Sequence, residues 1–151
     1  MSEKGRILVV EDDEFVCNSL KWLLVDEGYD VEVTTDGREA LKLVAGEPFD
    51  LVITDLMMPE VGGLEVLKEV KLKSEDTSVI VLTGYGTAEA AVSALEQGAF
   101  DFLTKPCDDL EMRFKILNAL EMRRLKKRIR ELEEALKEAG GEAGAKTGKG
   151  E

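Results

Sequence analysis

Short apolar runs rich in branched side chains alternate along this chain with segments whose apolar positions recur every three or four residues. The first run, Arg6–Val10 (RILVV), is bounded by charge and predicts a buried strand. Val16, Leu20, Leu23 and Leu24 then recur at helical spacing, and Gly28 ends the pattern. Val31–Thr35 alternates as a strand, and Gly37–Ala45 follows as a helix with Ala40, Leu41 and Val44 on its apolar face. Leu51–Thr54, Val79–Thr83 and Phe100–Leu103 predict three further strands, separated by helices over Leu64–Lys73 and Ala88–Gln97. A long helix opens near Asp108. Five strands alternating with five helices imply an α/β fold, a five-stranded doubly wound parallel sheet with an extended C-terminal helix. Ligands of such sheets bind beyond the carboxyl ends of the strands, so the residues there are the ones to inspect for chemistry.

Those residues form a chemical set. Strand one runs into Glu11, Asp12 and Asp13, strand three into Asp55, strand four ends at Thr83, and Lys105-Pro106 follows strand five. Each has an ordinary structural reading: an Asp after a strand caps or turns, a Thr completes a strand, and a Lys before Pro is solvated. Their convergence on one sheet edge is what carries the functional reading. Crowded carboxylates repel unless a cation neutralises them, and a hard oxygen-seeking ion such as Mg²⁺ (or Mn²⁺) suits them. A carboxylate facing such an ion can attack a phosphoryl group to give an acyl phosphate. The ammonium and the hydroxyl can then hold phosphoryl oxygens.

Composition narrows the alternatives. With 151 residues, 44% hydrophobic and 34% charged, the chain suits one globular domain plus an appendage. It contains no histidine, which removes Ser-His and Cys-His nucleophile systems and a histidine phosphodonor within the chain. Cys17 and Cys107 stand in unrelated contexts and suggest neither a disulfide framework nor a zinc site. No run approaches the roughly 20 apolar residues of a membrane helix, and the N-terminus lacks the apolar core of a signal peptide. A cytoplasmic location without membrane contact is therefore expected. Residues 1–120 carry 25 acidic against 11 basic side chains, which disfavours direct nucleic-acid binding.

The segments ILVVEDDEF, DLVITDLMMPEVGGLEVL, VIVLTGYG and GAFDFLTKP, in that order and spacing, resemble the receiver domains of two-component response regulators, over residues 5 to about 122. VIVLTGYGTAEAAVSALEQGAFDFLTKP is most similar to the nitrogen-regulatory class of transcriptional activators. The resemblance implies a flavodoxin-like (CheY-like) fold, and a phosphorylation-dependent signalling switch rather than an enzyme with outside substrates. It implies that Asp55 accepts a phosphoryl group from a sensor histidine kinase. By the same carry-over, Asp12 ligates the metal directly, Glu11 acts through water, and the Met57 backbone carbonyl completes the protein's ligands beside Asp55. Thr83 bonds the phosphoryl oxygen, Lys105 pairs with it, and the Lys105–Pro106 bond is cis. Phe102 occupies the aromatic switch position, and Asp13 is a neighbour of the acidic pair. Met57 and Tyr85 flank the path of an attacking water without orienting it, which implies a long-lived phosphoryl group. The runner-up, a phosphohydrolase with Asp55 as nucleophile, lacks a second acid at the position of Met57. A purely structural dimerisation module would not need Thr83 and Lys105.

On this reading residues 1–120 are the receiver. Beyond them, Met122, Leu125, Ile129, Leu132 and Leu136 step by three and four as a heptad seam with a at 122, 129 and 136. In a parallel pair Glu121 would face Lys126 and Arg128 would face Glu133. Residues 121–139 are therefore expected to be a helical extension, a coiled-coil linker forming a parallel homodimer, with folding back onto its own domain as the alternative. Six basic residues in Arg123–Arg130 fit a solvated coiled-coil flank better than a DNA contact. Residues 140–151 (GGEAGAKTGKGE) are expected to be a disordered tail. In the activator class such a helix leads to ATPase and DNA-binding modules; no GxxxxGK[ST] occurs here, and the chain reads either as an excised regulatory fragment or as a stand-alone receiver.

Overall fold

The computed structural model of the protein describes residues 4–84 and 88–147, with side chains to residue 140. The strands are β1 (Arg6–Val10), β2 (Asp30–Thr34), β3 (Leu51–Asp55), β4 (Ser78–Thr83) and β5 (Asp101–Thr104). The helices between and after them are α1 (Glu14–Asp26), α2 (Gly37–Ala45), α3 (Gly63–Lys73), α4 (Ala88–Glu96) and α5 (Asp109–Thr147). All strand pairs are parallel, in the flavodoxin-like order β2-β1-β3-β4-β5. Every predicted element is present, and apart from the end of α5 the bounds agree to within two residues, the differences falling where caps and strand ends carry no periodicity of their own.

Because side chains alternate across a strand, the unbroken apolar runs feed two cores. Leu8, Val10, Val52, Val79 and Val81 face α2, α3 and α4, packing on Ala40, Val44, Val66, Leu67, Val70 and Ala94. Ile7, Val9, Leu51, Ile53, Ile80 and Leu82 face α1 and α5, packing on Cys17, Leu20, Leu24, Met112, Ile116 and Ala119. Each such buried aliphatic side chain contributes about 1.5–3 kcal/mol of transfer free energy. Among the described residues no helix is long and apolar enough to cross a membrane.

The chain moves outward from β1 to β2 and then returns to place β3 on the other side of β1. That reversal brings the ends of β1 and β3 together, with Val10 opposite Thr54. Glu11 and Asp55 thereby become neighbours.

Helix α5 continues through Gly140 and Gly141 to Thr147, so the boundary expected at 139 is not where the helix ends. Two glycines cost roughly 1 kcal/mol each in a helix interior, but the Glu, Ala and Lys that follow are good helix formers. The expected disorder of the last residues concerns, beyond Thr147, a stretch outside the described residues.

Candidate functional site

Glu11, the first residue after β1, is fully buried (0% exposed), and Asp55, the last of β3, is 4% exposed. The Lys105 ammonium bridges them, donating to Glu11 Oε1 at 2.6 Å and to Asp55 Oδ2 at 3.0 Å. It reaches them because the Lys105 backbone N–H, just past β5, donates to the Thr83 carbonyl at 2.7 Å, extending the β4–β5 pairing by one bond. The Lys105–Pro106 bond is cis, as the resemblance implied. Asp55 Oδ1 accepts the Met57 backbone N–H at 3.3 Å.

Asp13 has a different task from its two neighbours. Its Oδ1 accepts the backbone N–H groups of Phe15 and Val16, capping α1 and satisfying donors that a helix start leaves free. Its own N–H donates to Glu11 Oε2 at 2.9 Å. Glu11 is thus held at both oxygens, while Asp12 between them is exposed. One carboxylate oxygen from each of Glu11, Asp12 and Asp55 lies within 4.8 Å of the others, a spacing and an all-oxygen donor set that fit a hard divalent cation.

Burial raises the Glu11 pKa above the usual carboxylate value; the bonds from Lys105 and from the Asp13 N–H oppose the rise, and the charge of Asp55 adds to it. For Lys105 burial alone would lower the pKa, but its bonds to Glu11 and Asp55 outweigh burial and raise it, so the ammonium stays charged at neutral pH.

Thr83 is buried at the end of β4, and its hydroxyl donates to the Leu103 carbonyl on β5 at 3.4 Å. Phe102, opposite Val81 in the register, is half-buried against the α2–α4 core. The Lys115 ammonium lies 5.0 Å from the Phe102 ring centroid and donates to the Phe102 carbonyl. Glu11, Asp12, Asp55 and Lys105 therefore gather at one point, with Met57 joined to them through its backbone. Thr83 and Phe102 occupy the next two strands and bond elsewhere. Tyr85 lies outside the described residues.

Sequence reasoning missed one participant. Gly63 opens α3 against the backbone of Asp55: a Cβ there would overlap the Asp55 carbonyl oxygen and crowd the Leu56 Cα. Its N–H donates to the Leu56 carbonyl at 2.9 Å. The glycine permits close approach and needs no unusual φ. Only its position directly at a helix start, eight residues after the strand-end acid, hinted at this.

The protein-family model described as the response regulator receiver domain matches residues 7–117. The chain belongs to that family. The receiver is 38% identical over 136 residues to the regulatory protein AtoC of Escherichia coli, covering 90% of this chain and 30% of AtoC. It is 40% identical over 123 residues to the transcriptional regulatory protein ZraR of Klebsiella oxytoca, covering 82% of this chain and 28% of ZraR. Among solved structures, NtrX from Brucella abortus in complex with ADP superposes with a TM-score of 0.80 at 30% identity, over 87% of this receiver chain and 30% of NtrX. A receiver domain protein from Clostridium thermocellum gives 0.77 at 32% identity and is itself covered to 98%. The chain thus spans less than a third of the length of AtoC and ZraR.

Proposed function

We propose that Asp55 is the phosphoacceptor of this receiver and that its phosphorylation by a sensor histidine kinase in the cytoplasm controls a dimer or an output domain acting in transcription. The observation that carries this reading is the Lys105 ammonium held between Asp55 and Glu11 at the open edge of the sheet. In the transfer, an Asp55 oxygen attacks phosphorus, the P–N bond to the donor imidazole breaks, and the imidazole keeps the electron pair. Lys105 then faces one phosphoryl oxygen, and the Thr83 hydroxyl leaves the Leu103 carbonyl for another. A divalent cation held by Asp12, Asp55 and the Met57 carbonyl, with Glu11 acting through water, would supply the charge neutralisation that brings two anions together. Movement of Thr83 frees volume beside Phe102. Any shift of that ring must exchange its contact with Lys115 for new packing, so phosphorylation acts by favouring one of two packings.

The extension of α5 is proposed to pair with a second copy. Met122, Leu125, Ile129, Leu132 and Leu136 are 39–71% exposed, while Arg123 and Arg130 on another face contact the receiver body. Folding the seam back is disfavoured because the face toward the body is already taken. Arg123 and Arg130 pair with acids of the receiver body and Arg124 with Glu121 of its own helix, which disfavours a DNA-contacting surface.

The test is incubation with Mg²⁺ and a small phosphodonor such as acetyl phosphate, read by intact mass and hydroxylamine sensitivity. One phosphoryl group labile to hydroxylamine and alkali, absent in Asp55→Asn, is expected; phosphorylation surviving in that variant would overturn the assignment. Sedimentation of the parent and of Leu132→Glu tests the pairing, and equal masses would refute it.

A further inference from the structure

The face of α5 that lies on the sheet changes character along its length. Met112, Ile116 and Ala119 are buried, and at the same spacing Arg123, Lys126 and Arg130 follow. The change occurs where the helix passes the N-terminal ends of the strands, and acidic residues meet it there. Arg123 Nε lies 3.1 Å from Asp50 Oδ1, while Asp50 Oδ2 accepts the backbone N–H of Arg6 at 2.8 Å. A guanidinium nitrogen of Arg130 lies 2.6 Å from Asp76 Oδ2, and the Asp76 side chain is only 7% exposed. Both are charge contacts rather than aligned hydrogen bonds. One turn before Arg123 the buried Ser78 hydroxyl donates to the Ala119 carbonyl at 2.7 Å.

Asp50 directly precedes β3, and Asp76 and Ser78 stand at the start of β4. These are the two strands whose far ends carry Asp55 and Thr83. We propose that Asp50 and Asp76 clamp the linker helix to the base of β3 and β4, so that the receiver fixes the direction in which the helix departs and the face it presents. A buried carboxylate left without its cation is strongly unfavourable. Asp76 therefore gives the Arg130 contact a strength that an exposed pair lacks, although Arg130 itself is half-exposed. The helix leaves as a rigid continuation of the receiver over at least three turns past Ala119. Neither the acceptor chemistry nor the dimer is needed for the clamp to act.

Hydrogen exchange of the full chain tests this, in a Leu132→Glu background so that pairing cannot supply the protection. With the clamp intact, amides of residues 121–130 are expected to stay protected. Adding Asp50→Asn and Asp76→Asn is expected to speed their exchange roughly tenfold while β3 and β4 amides change less than about twofold. Because Asp50 also holds Arg6, the pair Arg123→Gln and Arg130→Gln removes the same contacts from the helix side and must give the same result. Residues 121–130 exchanging equally fast, or equally slowly, with and without the clamp would overturn the proposal. Sedimentation of the same samples reports separately on the dimer: a parent that is already monomeric refutes pairing and leaves the exchange comparison valid.

Discussion

The Lys105 ammonium lies 2.6 Å from the Glu11 carboxylate, which is fully buried, and so the acid at the bottom of the site depends on a lysine 94 residues away in sequence. Removing the lysine leaves a buried anion without its partner. Lys105→Met should lower the stability of the metal-free protein by about 1–3 kcal/mol. Glu11→Gln on the same background should recover most of that. Urea melts of the two single variants and the double variant give the coupling, and additive losses would show that the pair does not act as a unit.

The raised pKa of Glu11 fixes a sign for pH. A carboxyl whose folded pKa exceeds its unfolded value adds stability below the unfolded value and loses it as pH rises through the folded one. Metal binding runs the other way, because the cation requires the carboxylates ionised. The rise in melting temperature on adding Mg²⁺ should therefore grow as pH increases through the range above the usual carboxylate pKa, then level off. Glu11→Gln should flatten the low-pH part of that curve. A Mg²⁺ effect independent of pH would exclude Glu11 from the linkage.

Gly63→Ala tests the contact of α3 with the Asp55 backbone. The added methyl must push either the helix or the strand end, at a cost of about 1–3 kcal/mol. Because the displaced atoms belong to Asp55 itself, the rate of labelling by acetyl phosphate should fall together with stability. Gly46→Ala, at a position where a Cβ meets only one carbonyl at contact distance, is the control and should leave labelling unchanged.

Met57 is exposed beside Asp55 and offers no group that can orient water. The acyl phosphate of the isolated protein should persist for hours. Met57→Glu supplies a base and should shorten that lifetime by about tenfold or more. Rapid loss of the phosphoryl group from the parent protein would contradict the idea.

The three central strands were legible because each is covered on both faces, which forces near-continuous branched apolar runs such as Ile7–Val10 and Val79–Leu82, whereas β2, half-exposed at the sheet's edge, shows only as an alternating run. Placement of Asp55 and Lys105 at a common edge followed from the β/α alternation alone. The role of Gly63 was hidden, since close backbone approach leaves no mark beyond the glycine itself. The different duties of Glu11, Asp12 and Asp13 needed the site's geometry: three consecutive acids look equivalent until one is buried, one is exposed and one caps a helix. Nothing in the sequence marks Asp50 and Asp76, because the arginines they meet lie 73 and 54 positions further on.

The ion pairs of Asp50 and Asp76 bear on how receivers can be cut and joined. The family match ends at residue 117, and a fusion joint placed there would look safe by alignment. It would also strip both carboxylates of their guanidinium partners and uncover the base of the two central strands. Charge neutrality at that end is completed only at Arg130, so a chimaera that borrows this receiver should carry its own helix at least that far before foreign sequence begins.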